Sequence, residues 1–326
     1  MNAKNFSKFI SWAIIFTFLI TLFVAPVTLA SNTSPSHSYI VRGLSLDQVK
    51  YLVKAHGGQI TAQFEIINAV SAALSPPAAA QLAKAPGITG ITASQRMTVT
   101  GFPSAQSEKP KDTVPDTDYP EVVGADAVWA AGVTGEGVTV AILDTGISKS
   151  PALRKDSQGK GNRILAWKDF VDGHGGNRQD LNGHGTHIAG VIANSQVGSD
   201  GQWNGIAPDV NLVVGRVADV DGFATYENVI SGIQWIVQNK DRYNIRVLNF
   251  SMSAPVRSPY WADPVNLALM AAWQAGITVI TPAGNKGPNA LSIGVPGNNP
   301  YVITVGAFTD AYTPTDWADD YIPTFS

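Results

Sequence analysis

The hydrophobic pattern changes period along the chain, and the changes predict a small α+β unit followed by a larger α/β one. Tyr39, Ile40 and Val41 form a short apolar run that reads as a strand. Leu46, Val49, Leu52 and Val53 then fall at helical spacing, and Gly57-Gly58 ends that helix. Ile60, Ala62, Phe64 and Ile66 alternate with Thr61, Gln63 and Glu65. A period of two gives a sheet one buried face and one face free to meet a partner. A strand over 69–74 leads to Ser75, which caps a helix opened by Pro76-Pro77, where a missing N–H costs nothing. Pro86-Gly87 stops it, and 88–99 is extended. The order over 38–99 is β-α-β-β-α-β, a split βαβ or ferredoxin-like unit.

Past residue 119 the pattern is that of a doubly wound, mainly parallel sheet. Residues 138–143 are almost continuously apolar, as strands are when helices cover both faces. Residues 212–217, 246–250, 277–280 and 301–305 are similar. Between them, Val229, Ile230, Ile233, Ile236 and Val237 make one helical stripe, and Val265, Ala268, Leu269 and Ala272 another. Strands alternating with helices build right-handed βαβ units, and ligands of such sheets sit at the carboxyl ends of the strands.

Composition and charge change the picture at a few points. Hydrophobic residues at 44% against 14% charged exclude a disordered chain and suffice for a sizeable core. A net charge of −3 with no basic block argues against an electrostatic nucleic-acid binder. With no cysteine, disulfides, thiol catalysis and Cys-ligated metals are excluded. Residues 100–118 hold Pro103, Pro110 and Pro115 among Ser, Lys, Asp and Thr, the composition of an exposed linker open to proteolysis. Lys4 and Lys8 precede an apolar run over 9–25 and a small-residue stretch ending at Ala30. Residues 1–30 therefore read as a secretory signal, with an uncleaved membrane anchor as the other reading.

Three motifs lie just past strands or beside them. Asp144 ends the first apolar run in Leu143-Asp144-Thr145-Gly146, where a rigid, partly desolvated carboxylate is suited to orient an imidazole. A turn aspartate is the plain alternative. Aspartic-protease chemistry needs a second such motif, which the sequence lacks. Asn182-Gly183-His184-Gly185-Thr186-His187-Ile188-Ala189-Gly190 places His184 at a helix N-terminus, where a nearby carboxylate is needed to stabilise the imidazolium. A zinc pair of His184 and His187, completed by His174 or Asp180, competes, as does a buried structural histidine, the role favoured for His187. Asn285, in Pro282-Ala283-Gly284-Asn285-Lys286-Gly287, offers an amide to a developing oxyanion or else marks a turn.

In combination these motifs closely resemble the subtilisin-like serine proteases over residues 119–326. The chain order Asp, His, then Ser is that known for subtilisin. The resemblance implies that Asp144 orients and charge-stabilises His184, the general base and acid, and that Asn285 is the oxyanion donor. In subtilisin itself removal of that donor costs about 10²–10³ in kcat. It further implies that Ser251, Met252 and Ser253 form one wall of a substrate cleft and Asp221, Gly222 and Phe223 the other. A peptide would lie extended between them by β-augmentation. Phe223, Met252 and Ser253 depart from the family's usual residues at these edges. Residues 38–99 resemble the family's inhibitor-type propeptide, which assists folding and blocks the cleft until cut within 100–118.

The resemblance thus implies a secreted endopeptidase zymogen acting on polypeptides, with its own propeptide as intramolecular inhibitor and membrane contact only during export. No cofactor is required for the chemistry. Structural calcium is common in the family, with Asp169, Asp172, Asp180 and Asp219 as candidate carboxylates and no site assigned. The family's nucleophile lies in a Gly-Thr-Ser-x-Ala segment, and no Gly-Thr-Ser occurs in these 326 residues. The expectation is a catalytic domain incomplete at its C-terminus, stopping within the Phe-Ser start of the preceding segment, inactive as it stands and poorly stable over 119–326 alone. The alternatives are a non-catalytic exported peptide-binding protein and a zinc hydrolase.

Overall fold

The computed structural model describes residues 36–101, 117–172, 179–311, 313 and 316–326. The expected signal at 1–30, most of the expected linker and His174 lie outside them.

The first unit runs β1 (His37–Gly43), α1 (Leu46–Ala55), β2 (Gln59–Phe64), β3 (Ala69–Leu74), α2 (Pro76–Leu82) and β4 (Ile88–Ala93). Its strands form an antiparallel sheet in the order β2-β3-β1-β4. Ser45 and Ser75 cap the two helices, accepting from the amides of Gln48 and Ala78. Alternation sorts β1 between two cores. Val41 joins Val49, Val53, Val70, Leu74 and Leu82 beneath the unit's own helices, while Ile40 faces the second unit. The alternating stripe of β2 does not stay on one face as its period suggests. A register shift between Ile60 and Ala62 turns Ile60 to the unit's own core. Ala62, Phe64 and Ile66 are left against the larger unit. A bulge of this kind is set by pairing and leaves the sequence period intact.

Residues 88–99 are two strands rather than one. After β4 the chain leaves the small sheet at Ser94-Gln95. It continues as β5 (Arg96–Val99), which pairs with elements more than a hundred residues away.

The second unit contains β6 (Thr139–Asp144), β7 (Ile164–Asp169), α3 (His184–Ala193), β8 (Asn211–Arg216), β9 (Phe223–Thr225) and α4 (Tyr226–Asn239). It continues with β10 (Ile245–Phe250), β11 (Met252–Ser253), α5 (Pro264–Gln274), β12 (Thr278–Pro282) and β13 (Ile303–Val305). Six strands make a parallel sheet in the order β13-β12-β10-β6-β8-β7. Every residue of β6 is buried, with Val140 and Ile142 facing α3 and Ala141 and Leu143 facing α4. The strand β7 has no counterpart in the hydrophobic pattern. As an edge strand it reads Ile-Leu-Ala-Trp-Lys-Asp and is only half-buried.

One core joins the two units. Ile40, Phe64 and Ala69 pack into the same cluster as Tyr226, Ile230, Ile233, Val265 and Leu269 of α4 and α5. Each such side chain taken from water contributes about 1.5–3 kcal/mol. Polar contacts cross the seam as well. Glu227, in the first turn of α4, accepts from Thr61 Oγ1 at 2.8 Å and Ser71 Oγ at 2.5 Å. Gln234 bonds the backbone of Gln63 and Ile66, and Arg42 donates to the Ala262 carbonyl. Among the described residues no helix is long and apolar enough to cross a membrane.

Candidate active site

The end of β6 and the start of α3 meet because small residues allow it. A Cβ on Gly185 would overlap the Gly146 carbonyl oxygen and lie 3.1 Å from Oδ1 of Asp144. Thr145 Oγ1 accepts from the Gly185 amide at 2.9 Å, tying the helix start to the strand end. The N-cap position of α3 is Gly183, which has no side chain to offer. Asp180 serves the helix start instead, its carboxylate accepting from the amides of Asn182, Gly183 and Thr186 and from Thr186 Oγ1.

These constraints bring two of the expected residues together. Asp144, fully buried, accepts from His184 Nδ1 at 2.7 Å and from the Thr145 amide at 2.7 Å, both on Oδ1. The other imidazole nitrogen, Nε2, lies 3.0 Å from the Thr100 carbonyl oxygen. Both ring nitrogens therefore face acceptors, which suits an imidazolium. Burial opposes that charge. The hydrogen bond and charge of Asp144, the Thr100 carbonyl and the more distant Asp180 outweigh it and hold the His184 pKa above its ordinary value.

The remaining expected residues lie on the segments that follow β8, β10 and β12. Ser251, just past β10, accepts on its carbonyl from Thr100 N at 3.0 Å and Thr100 Oγ1 at 3.1 Å. Met252 and Ser253 pair with Val99 and Thr98, and the Met252 side chain is buried in the core, so it presents only backbone. Opposite, the Gly222 carbonyl accepts from Val99 N at 3.0 Å, and Phe223 pairs with Thr98. Gly222 has φ +78°, and a Cβ there would lie 2.8 Å from Val99 Cγ2, so glycine is required. Asp221 is exposed at the tip of this turn. Asp219 holds the turn, accepting from the amides of Asp221 and Phe223. Asn285 lies on the loop after β12, at the same end of the sheet, exposed and without a hydrogen bond to Asp144 or His184.

The space between the walls is filled. Strand β5 runs antiparallel between β9 and β11 as the middle of a three-stranded sheet. Met97 is fully buried, and Gly101 packs on the imidazole, where an added Cβ would stand 3.0 Å from Cδ2 of His184. The sequence reading has 38–99 block the space between these segments without saying which residues enter it; in the structure they are the chain's own residues 96–100.

The metal candidates are otherwise engaged. Asp169 and Asp172 bond Arg216 at 2.9 and 2.7 Å, Asp180 accepts from the Thr186 amide in the first turn of α3 and Asp219 braces a turn. Among the described residues no group of three or more His, Asp or Glu is placed to hold a metal. His187 is exposed on α3, not buried as a structural histidine would be. The helix turns it away from its own buried face, which carries Gly185, Ala189 and Ala193.

Comparison with known proteins identifies the family. The model of the Subtilase family of S8 peptidases matches residues 135–324. Serine protease AprX of Bacillus subtilis is 39% identical over 199 residues, covering 60% of this chain and 43% of the relative. Minor extracellular protease Vpr of the same organism is 36% identical over 200 residues, 58% of this chain and 23% of the relative. Subtilisin J of Geobacillus stearothermophilus is 28% identical over 319 residues, 94% and 75% respectively. The chain thus spans less than half the length of the first two relatives. The crystal structure of fervidolysin from Fervidobacterium pennivorans, a keratinolytic enzyme related to subtilisin, superposes with a TM-score of 0.64 at 21% identity. That superposition covers 91% of this chain and 46% of fervidolysin, a likeness of fold. The chain belongs to the subtilase family.

Proposed function

We propose that this chain carries the acid–base half of an exported serine endopeptidase, held latent by its own N-terminal unit. The observation that carries the reading is the 2.7 Å contact of Asp144 Oδ1 with His184 Nδ1, with Nε2 aimed at the carbonyl of an extended strand. In this reading neutral His184 takes the proton of a serine hydroxyl as the serine attacks a peptide carbonyl, then returns it to the leaving amine. Asp144 holds the ring in register and stabilises the imidazolium, and Asn285 donates to the oxyanion. The serine belongs to the family's Gly-Thr-Ser-x-Ala segment, absent from these 326 residues, so the 326-residue chain by itself does not form an acyl-enzyme.

Residues 38–99 act as the propeptide in this proposal, and 1–30 as the export signal. The propeptide role is supported by the antiparallel seating of β5 between β9 and β11 and by the shared core, and the signal role by Lys4, Lys8 and the apolar run over 9–25. The bond presented to His184 is Thr100–Gly101, at the N-terminal edge of the linker. Substrates are extended polypeptides that pair with Gly222, Ser251 and Ser253 as β5 does. A zinc reading finds little support, because both nitrogens of His184 already face oxygens of this chain.

The test is to express the chain fused to its downstream reading frame and assay protein hydrolysis. Inhibition by an organofluorophosphonate, indifference to chelators and loss on His184→Ala are expected. Hydrolysis abolished by chelators alone would establish the zinc reading. No phosphonate labelling of the extended protein would establish the peptide-binding one.

A further inference from the structure

We propose that Phe223 is a specificity-determining residue through which the cleft selects a cationic side chain four residues before the one that supplies the scissile carbonyl. The inference rests on the reading above that β5 occupies the cleft as a substrate does. In the antiparallel pairing of β5 with β9, Thr98 stands opposite Phe223 and Arg96 opposite Thr225. Arg96 and Phe223 are therefore diagonal neighbours on one face of the sheet, within reach of a long side chain. The Arg96 guanidinium carbon lies 5.0 Å from the centroid of the Phe223 ring, inside the range of a cation–π contact.

The surroundings favour the same charge. Asp219 and Asp221 flank Phe223 in the turn that presents it, with the Asp219 carboxylate bound to the Phe223 amide at 2.8 Å. The inner face of β5 is different in kind, since Met97 is fully buried opposite Ala224. The strand is thus read on two faces. An apolar pocket takes residue 97, and an aromatic ring on the solvent side takes residue 96. An aliphatic side chain at 223 could cover the strand, but the ring quadrupole, with the two nearby carboxylates, distinguishes a cation from a neutral chain of equal length.

The test uses the 326-residue chain and native-state hydrogen exchange at the amides of Val99 and Thr100, which bond the two walls. Arg96→Gln and Phe223→Leu should each raise opening about two- to fivefold, as expected of an exposed cation–π pair. The double variant should open no more than either single one, and Arg96→Lys should open less than Arg96→Gln. Protected amides that Phe223→Leu leaves unmoved, or effects that simply add, would overturn the selection by Phe223. Free-chain exchange in the unaltered protein would instead overturn the reading of β5 as the cleft's occupant.

Discussion

At His184 the position of a proton and the position of a strand are one question. With Nδ1 bonded to Asp144, Nε2 meets the Thr100 carbonyl favourably only when it carries hydrogen. The folded-state pKa is raised. The stabilisation is therefore fully present below the ordinary histidine value of about 6.5 and is lost as pH rises through the raised one. Docking of β5 should weaken with rising pH on that limb. Nitrogen-15 spectra of the imidazole should show both nitrogens protonated below the midpoint. Asp144→Asn, which removes the main group favouring the charged ring, should bring that midpoint down. Gly185 supplies a second prediction at this scale. Gly185→Ala forces a methyl into the Gly146 carbonyl and should cost about 1–3 kcal/mol in urea unfolding while separating His184 from Asp144. Asp144 and His184 were legible in the sequence because each sits where an element boundary is itself legible, at a strand end and a glycine-flanked helix start. Thr100 was not, because its role arises from where a distant strand approaches in space, and no local pattern records that. Asp180 and Asp219 brace turns within six residues of themselves, a local role that the sequence reading passed over in favour of metal binding.

At the scale of elements, strands buried on both faces announced themselves and strands with a divided allegiance did not. The run over 138–143 matched β6 to within a residue. By contrast, the break between β4 and β5 falls at Ser94-Gln95, with neither glycine nor proline to mark it. It exists because the Gln95 carbonyl meets the Tyr226 amide at 3.1 Å and β5 finds partners on β9 and β11. The seam between the units behaves in the same way, its apolar half visible as alternation and its bulge not. Because Phe64 is fully buried in the joint core, Phe64→Ala should cost about 3–5 kcal/mol in denaturant unfolding. Glu227→Ala should leave the hydroxyls of Thr61 and Ser71 without their shared carboxylate and cost about 1.5–3 kcal/mol.

For the whole molecule, the shared core makes the small unit part of the large one's stability. Residues 117–326 expressed alone would uncover Tyr226, Ile230 and Leu269, which are fully buried against the first unit. Such a fragment should bind a hydrophobic dye and unfold in urea without a sharp transition, whereas the chain from residue 36 should unfold as one. A cooperative transition of ordinary steepness in the fragment would count against this.

The two-sided seating of β5 also governs how uniform any processed product can be. Sliding the strand by one residue would bury polar Thr98 where Met97 belongs and expose the methionine. Sliding it by two would restore the faces but carry both bulky valine and the Thr100 carbonyl away from their partners. The chain is therefore indexed like a toothed rack with one resting notch, and severing it should yield a single new amino terminus, Gly101, rather than a ragged family of ends.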